Sequence, residues 1–497
     1  MTIETAKQTL YAIAREIDFL ENTARILGWD MRVNLPKAAG EYRGETIGFL
    51  SGEVYRRKTS PALDEALSVL EEGPEQDEIT EALIRKLRRE HRHLSEVPAE
   101  LESAYAAHNL KTELVWQEAR QANDYALVRP YAEKEFEFLR EIQAAHRHAD
   151  DPLTGLMQEG EPGLTCEKVD ALFGELKAFE LPFLERLKES PRKLPDLPAG
   201  PFLIRPQKAL IREVLTAVGF DFERGRIDES AHPITTFGDR TDVRFTDRFY
   251  EEDFTRALLT AMHEGGHALH CQGGDPSLRF TTLEDLPYAA LNESQSRFME
   301  NIVGRSLPFW EWCLPIAQKH FPALAGRTPG QLWEALGRLS IGTNRLTADE
   351  LTYNLHIIIR YELEKALFDR SLSFGDLPEA WNAKYREYLG VTPASDAEGV
   401  LQDMHWYSGF IGYFQSYTFG NFYDGHFLKA MRRDVPDIPG LIHRGEFAPI
   451  TGWLREHVQR YGGTKEPAEI LAALGEGALS ARGYIDYIKA KYEALYL

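Results

Sequence analysis

The sequence predicts a mainly α-helical protein, and three observations carry that expectation. Long stretches repeat apolar residues every three or four positions with charged residues between them, only one short stretch reads as strands, and no internal repeat or low-complexity tract occurs. Helices are expected from Ile3 to about Trp29 and from Ile79 to Leu94. Ala99 to His148 reads as two more, broken near Arg129-Pro130. Their Glu, Arg and Ala runs are solvated helix faces rather than chemistry. Breaks follow at Asp150 to Thr165 and at the proline-rich Ser190 to Pro206. These are either linkers between domains or loops within one helical body.

The one β element precedes the chemistry. Ile234 to Phe237 and Asp242 to Phe249 flank Gly238-Asp239-Arg240-Thr241, which has turn character, so they read as a hairpin. An exposed strand here can pair with an extended peptide through its backbone. Asp242 and Arg244 point to the same face, either as an ion pair bracing the hairpin or as substrate contacts.

The next segment, Asp253 to Cys271, places Leu258, Ala261, Met262 and Leu269 on one helical stripe and Thr260, His263, His267 and Cys271 on another. Gly273-Gly274 then ends the helix. Within it, His263-Glu264-Gly265-Gly266-His267 is an H-E-x-x-H pattern. Residues four apart share a helix face, so both imidazoles can aim at one metal ion, which the pattern reads as zinc. Glu264, beside that face, can take a proton from the attacking water and deliver it to a leaving amine. Gly265 and Gly266 each cost about 1 kcal/mol in a helix, which implies close approach of another backbone or of a substrate.

A third ligand is expected, because catalytic zinc usually has three protein ligands. Pro287 suits the first turn of a following helix that Gly304 closes, and Glu293 and Glu300 lie on it two turns apart. Spacing does not choose between them. Glu284 and Asp285 precede Pro287 and read as loop.

HEGGH followed by NESQS resembles the carboxypeptidase Taq family of zinc metallocarboxypeptidases, and the resemblance makes Glu293 the third ligand. More of that family's signatures occur in order. His232-Pro233-Ile234 resembles His-Pro-Phe, with Ile234 in place of Phe, and Asp242 to Thr246 fits D-x-R-x-T. Asn344 to Asp349 resembles I-R-x-x-A-D, Gly399 to Trp406 fits G-x-x-Q-D-x-H-W, and Gly412-Tyr413-Phe414 fits G-Y-F. Asn292 departs from the family, which usually has His before the ligand Glu.

A carboxypeptidase differs from an endopeptidase in holding the free carboxylate of its substrate, which arginine does best through its planar fork. Arg345, in the segment like I-R-x-x-A-D and ahead of a helix expected from about Ala348 to Arg370, is the chosen clamp. Its structural alternative is a pair with Asp349, and Arg360 is a lesser candidate. His405, Tyr413 and Tyr417 are candidate donors to the tetrahedral intermediate, within a stretch whose other rings read as packing. His232 either lines the substrate channel or caps the hairpin.

Composition sets bounds. A chain of 497 residues with 43% hydrophobic residues buries a large core without staples. Cys166, Cys271 and Cys313 lack ligand-like spacing, which fits a reducing cytosol better than a disulfide scaffold. No signal-like N-terminus and no run of 18 apolar residues is seen, so a cytoplasmic protein is expected. A net charge of −21 disfavours nucleic acid and anionic membranes as partners.

The resemblance implies an α-helical shell with a deep substrate groove and a small hairpin or sheet beside the metal helix. The whole chain, 1–497, is then one metallocarboxypeptidase domain, with an N-terminal helical region of about 1–200 and a catalytic region of about 201–497. It implies one Zn2+ per chain, with Co2+ or another divalent metal compatible with the ligands, peptide substrates of broad leaving-residue preference, and a homodimer. The rival readings are a zinc oligopeptidase cutting within short peptides and a helical binding scaffold with an inert H-E-x-x-H.

Overall fold

The computed structural model describes residues 1–146 and 151–497. Helices dominate it, with one three-stranded sheet among the described residues. The chain forms two compact units, each built from separated segments. One comprises Met1–Leu94, Pro195–Leu336 and His426–Leu479, and the other Ser95–Leu194, Gly337–Gly425 and Ser480–Leu497.

In the first unit, the opening helix Ile3–Val33 starts at Thr2, whose hydroxyl accepts the Thr5 amide, and buries Ala6, Leu10, Ala14 and Ile17 at three- and four-residue spacing. Leu63, Leu67, Leu83 and Leu87 join them in one cluster with Leu278 and Leu283. The helix Glu78–Glu96 fits its predicted span within two residues.

The sheet contains the expected hairpin and one strand more. Strands β1 (Gly225–Glu229), β2 (Thr235–Phe237) and β3 (Val243–Asp247) lie in the order β1-β3-β2. β2 pairs antiparallel with β3, setting Thr235 opposite Phe245, whereas β1 pairs with β3 in parallel. The central strand is the buried one, with Val243 and Phe245 at 0% exposure. β1 (GRIDE) has one apolar residue and no alternation, so neighbouring β3, not its own pattern, makes it a strand. Arg244 grips Asp242 with two hydrogen bonds of 2.7 and 2.8 Å and lies 4.6 Å from the centre of the Trp29 ring, which is the bracing role.

In the second unit, the helices Ala99–Ala122 and Tyr125–His146 break at Asn123 and not at Arg129-Pro130. Asn123 takes a left-handed conformation (φ 54°), which Asn tolerates, while Pro130 sits near the start of its helix and forfeits one hydrogen bond. The predicted end of this helix at His148 and the start of the break at Asp150 lie outside the described residues. The rest of that break holds a short helix, Pro152–Gly160, because Asp151 caps the Leu153 and Thr154 amides ahead of a proline in the first turn. The helix expected from Ala348 begins at Tyr353, since Asp349 ties down the Leu351 and Thr352 amides in a turn. Among the described residues, no helix is long and apolar enough to cross a membrane.

Candidate metal centre

The helix Phe254–Gly273 carries the centre. Asp253 caps it by accepting the Thr255 amide, and Gly274 ends it as predicted. It is buried on nearly every side, Leu258, Ala261, Met262 and Leu269 included. From Ala257 to Gly273 only Thr260, His263 and His267 remain partly open, all on one face. A helix this enclosed leaves one face for chemistry, and that face holds the two histidines.

A second helix, Ala289–Arg297, crosses it at close range. A Cβ placed on Gly266 would stand 2.3 Å from the Gln295 carbonyl oxygen and 2.6 Å from the Ser296 Cα. The glycine therefore admits a neighbouring helix backbone, not the hairpin or a threaded peptide. Gly265 makes room for the Leu215 side chain. This approach brings Glu293 to the histidines, with its Oε2 3.6 Å from His267 Nε2. His263, His267 and Glu293 form a group whose ligand atoms all lie within 4.8 Å of one another.

Glu300 takes a different place. After Arg297 the chain continues as a π-helix, Phe298–Gly304, whose wider turn shifts Glu300 off the α-helical repeat. Its Oε2 receives His263 Nδ1 at 3.0 Å and its Oε1 receives Arg305 at 3.0 Å. Glu284 and Asp285 are not part of that group, and Asp285 pairs with Arg25 and Lys86. Pro287 lies outside the helix it was expected to begin, two residues ahead of Ala289.

The surrounding hydrogen bonds orient every member. His263 Nδ1 is engaged by Glu300, and His267 Nδ1 donates to Asn292 Oδ1 at 3.1 Å, so each ring presents Nε2 toward the centre. Asn292 also accepts His270 Nδ1 at 3.2 Å. Arg297 holds Glu293 Oε1 at 2.9 Å, leaving Oε2 facing the imidazoles. Outer partners of this kind fix the tautomer and orientation of metal-binding histidines. The donor set fits a divalent cation.

Burial works against a charged His263, but Glu293 and Glu300 outweigh it and raise its pKa to about 9. Burial and the neighbouring His263 push His267 down, and burial pushes His270 to about 3. Glu300 is held well below the usual carboxylate range despite its burial, by His263 and Arg305. The centre thus concentrates negative charge around two imidazoles.

Glu264 is 7% exposed, and its Oε2 accepts the Thr235 hydroxyl of β2 at 2.6 Å. Nearby Asp247 is buried completely, which raises its pKa to about 8, so near neutrality it adds little competing charge. Of the other expected residues in this unit, His232 is exposed and offers its carbonyl to the Ser230 hydroxyl.

The second unit holds the remaining candidates as one cluster. Arg345 donates Nε to Asp403 at 2.7 Å and Nη1 to the Tyr353 hydroxyl at 3.3 Å. Its partner is Asp403 and not Asp349. Arg360 binds the other oxygen of Asp403 at 2.6 Å, so one carboxylate anchors both arginines and is held far below its usual range. His405 Nε2 meets the Tyr417 hydroxyl at 3.1 Å, with the Tyr413 ring 6.4 Å away. Burial and Arg345 lower its pKa to about 3, so its ring is neutral.

Sequence reasoning missed Thr235, Arg297, Arg305, Asp247 and Asp403. Arg297 carried a readable signal, four residues beyond Glu293 on one helix. Asp403 stands in the G-x-x-Q-D-x-H-W match but its arginine partners could not be read from it, and Thr235 carried no signal, because their partners come from distant segments.

Comparison with known proteins finds relatives along the whole chain. The profile described as Carboxypeptidase Taq (M32) metallopeptidase matches residues 9–492. Carboxypeptidase 1 of Bacillus subtilis is 36% identical over 501 residues, covering 100% of each chain. Thermostable carboxypeptidase 1 of Thermus thermophilus is 35% identical over 510 residues, again covering 100% of both. The crystal structure of an M32 carboxypeptidase from Deinococcus radiodurans superimposes with a TM-score of 0.95 at 35% identity, covering 99% of each chain.

Proposed function

The chain belongs to the carboxypeptidase Taq (M32) family of metallopeptidases, and from that premise we propose a zinc enzyme in which His263, His267 and Glu293 hold the metal and Glu264 moves the proton. It removes single amino acids from the C-terminus of peptides, with broad preference for the leaving residue. The observation that carries the site assignment is the convergence of two imidazoles and one carboxylate within 4.8 Å, each oriented by an outer partner.

A divalent metal bound there supplies Lewis-acid polarisation of the scissile carbonyl and a more acidic water. The chain's own residues do the rest. Glu264 Oε2, steadied by the Thr235 hydroxyl, takes the proton of the attacking water and returns it to the departing amine. Arg345, buried and braced by Asp403, receives the C-terminal carboxylate of the substrate. His405, neutral beside Tyr417, together with Tyr413, serves the oxygen of the tetrahedral intermediate as hydrogen-bond donors. His232, exposed next to β2, lines the approach of the peptide. In this reading 1–497 acts as one peptidase domain, cytoplasmic and homodimeric. Three free, buried cysteines fit the reducing compartment.

The test is a peptide supplied with a free C-terminal carboxylate and as its C-terminal amide. The free acid should lose one residue at a time and the amide should be cut at least a hundredfold more slowly. Equal rates, or cleavage within the amide, would replace the carboxypeptidase with an oligopeptidase.

A further inference from the structure

The helix Tyr353–Phe368 of the second unit is buried almost throughout, with Leu355, Ile357, Ile358 and Ile359 at 0% exposure. Among them stands Glu364, also at 0%. A carboxyl group forfeits its hydration in such a place, and a leucine would fill the same turn without that cost. Its hydrogen bonds show what the acid does there.

One oxygen carries the bonds. Glu364 Oε1 accepts the Trp406 indole N–H at 3.0 Å and the Gly412 backbone N–H at 3.1 Å. Oε2 is sealed from solvent with no hydrogen-bond partner. Arg360, one turn earlier on the same helix, is committed to Asp403, Gln402 and the Tyr385 hydroxyl. Burial pushes the Glu364 carboxyl up to about 8, so near neutrality it is an uncharged acid whose carbonyl oxygen takes both donors.

The place of those donors in the chain gives the bonds their meaning. Trp406 directly follows His405, and Gly412 directly precedes Tyr413, so one oxygen ties together the two ends of the turn 406–412. Each end adjoins a proposed donor to the tetrahedral intermediate. Within the turn, the Ser408 and Phe410 amides bond back to the His405 carbonyl at 3.2 and 3.0 Å. The Trp406 ring stands edge-on to Trp381 and Phe414, with centres 5.9 and 6.2 Å away. Gly412 takes φ 73°, where a side chain is strained, and a Cβ there would lie 3.0 Å from that of Leu156. Packing confines both ends of the turn, and Glu364 is the polar group that joins them.

Resting on the carboxypeptidase reading above, we propose that Glu364 is a positioning residue for peptide hydrolysis: through Trp406 and Gly412 it fixes the backbone from which His405 and Tyr413 reach the oxygen of the tetrahedral intermediate. A group that aligns donors for the intermediate contributes to kcat and little to binding of the intact peptide.

The experiment begins with Glu364→Leu, which fills the volume and leaves both N–H groups unpaired. For a peptide with a free C-terminus, kcat should fall about 10- to 100-fold, the range expected of a misplaced donor. A phosphonate peptide, whose tetrahedral phosphorus copies the intermediate, should lose affinity by the same factor. Binding of the uncleaved peptide to Glu264→Gln carrying the same change should stay within about twofold. Glu364→Gln keeps the carbonyl oxygen and should bring kcat back to within about threefold of the parent. Trp406→Phe removes one of the two donors and should show the same pattern with a smaller loss; it carries the test if Glu364→Leu does not fold. Parent kcat in a folded Glu364→Leu, or in Trp406→Phe, would overturn the proposal. So would an equal loss of peptide and phosphonate affinity, which a general loosening of the fold produces, or a Glu364→Gln variant as slow as Glu364→Leu. The carboxypeptidase reading fails separately: a C-terminal amide cleaved as fast as the free acid rejects it, whereas the split between phosphonate and peptide binding is read with either substrate.

Discussion

Asn292 Oδ1 lies 3.1 Å from His267 Nδ1 and accepts His270 Nδ1 as well, so a single amide oxygen sets the tautomer of one proposed ligand and engages its buried neighbour. This is the position at which the chain departs from the family pattern. An amide oxygen fills it with an acceptor that does not titrate. Asn292→Ala leaves His267 free to rotate and to carry its proton on either nitrogen. Metal affinity should fall about 10–100-fold, the usual cost of losing such an outer partner. Competition with a chelator measures it, and an unchanged affinity would remove Asn292 from the site.

Loading of the metal-free protein should depend steeply on pH. A metal takes the neutral imidazole, and His263 holds its proton up to about pH 9 because Glu293 and Glu300 outweigh its burial. Apparent affinity should therefore rise about tenfold per pH unit and level off near pH 9, as one proton is displaced. The linked stability has the opposite sign. The folded pKa lies above the ordinary value of 6.5, so the metal-free protein has this stabilisation in full below pH 6.5 and loses it as pH rises through about 9. Metal titrations and metal-free melts at several pH values measure both. A flat affinity between pH 6 and 9 would mean that His263 is already neutral.

Thr235→Val keeps the shape of the side chain and removes the hydroxyl that steadies Glu264. Hydrogen bonds to charged groups are worth about 1.5–3 kcal/mol, so kcat should fall roughly 10- to 100-fold. KM and metal content should stay near those of the parent, because Thr235 bonds neither the imidazoles nor Glu293. A rise in KM with kcat unchanged would give Thr235 a substrate-binding role instead.

Gly266→Ala tests the helix crossing. Its Cβ would meet the Gln295 carbonyl at 2.3 Å, a contact with backbone that no side-chain rotation relieves. Overpacking of this kind typically costs about 1–3 kcal/mol, and any separation of the helices carries Glu293 away from His267. The variant should melt lower and bind metal more weakly. Full stability with full metal content would show that the crossing gives way without consequence.

What the sequence disclosed follows the range of its interactions. His263, Glu264 and His267 lie within one helical turn or so, and their spacing states their chemistry. Glu293 lies on the next helix, where spacing left it level with Glu300. The π-helix after Arg297 separates their roles, and the residues FMENIVG show no signal for it. The break at Asn123 was misplaced because Pro130 is a stronger breaker by type, yet near a helix start it is tolerated. β1 was invisible because its pairing depends on β3. Thr235 acts through Glu264 on a later element, and Asp403, though marked by its motif, acts through Arg345 and Arg360, contacts that one sequence does not disclose.

Asp403 supports the remaining prediction. One carboxylate anchors Arg345 and Arg360, both buried, so Asp403→Asn leaves two guanidinium groups without their counter-charge. Breaking a buried pair from one side typically costs about 3–5 kcal/mol, and denaturant unfolding should show a loss of that order. Arg345→Met removes a charge together with its hydration cost, so it should destabilise less. Its effect belongs to the substrate: kcat/KM for a peptide with a free C-terminus should fall at least about a hundredfold, while the slow cleavage of the amide stays as it was. If Arg345→Met slows both substrates equally, the arginine braces the cluster and the carboxylate is held elsewhere. If Asp403→Asn loses stability while the ratio of acid to amide cleavage is retained, the clamp keeps its grip without its anchor, and the two arginines do not act through Asp403.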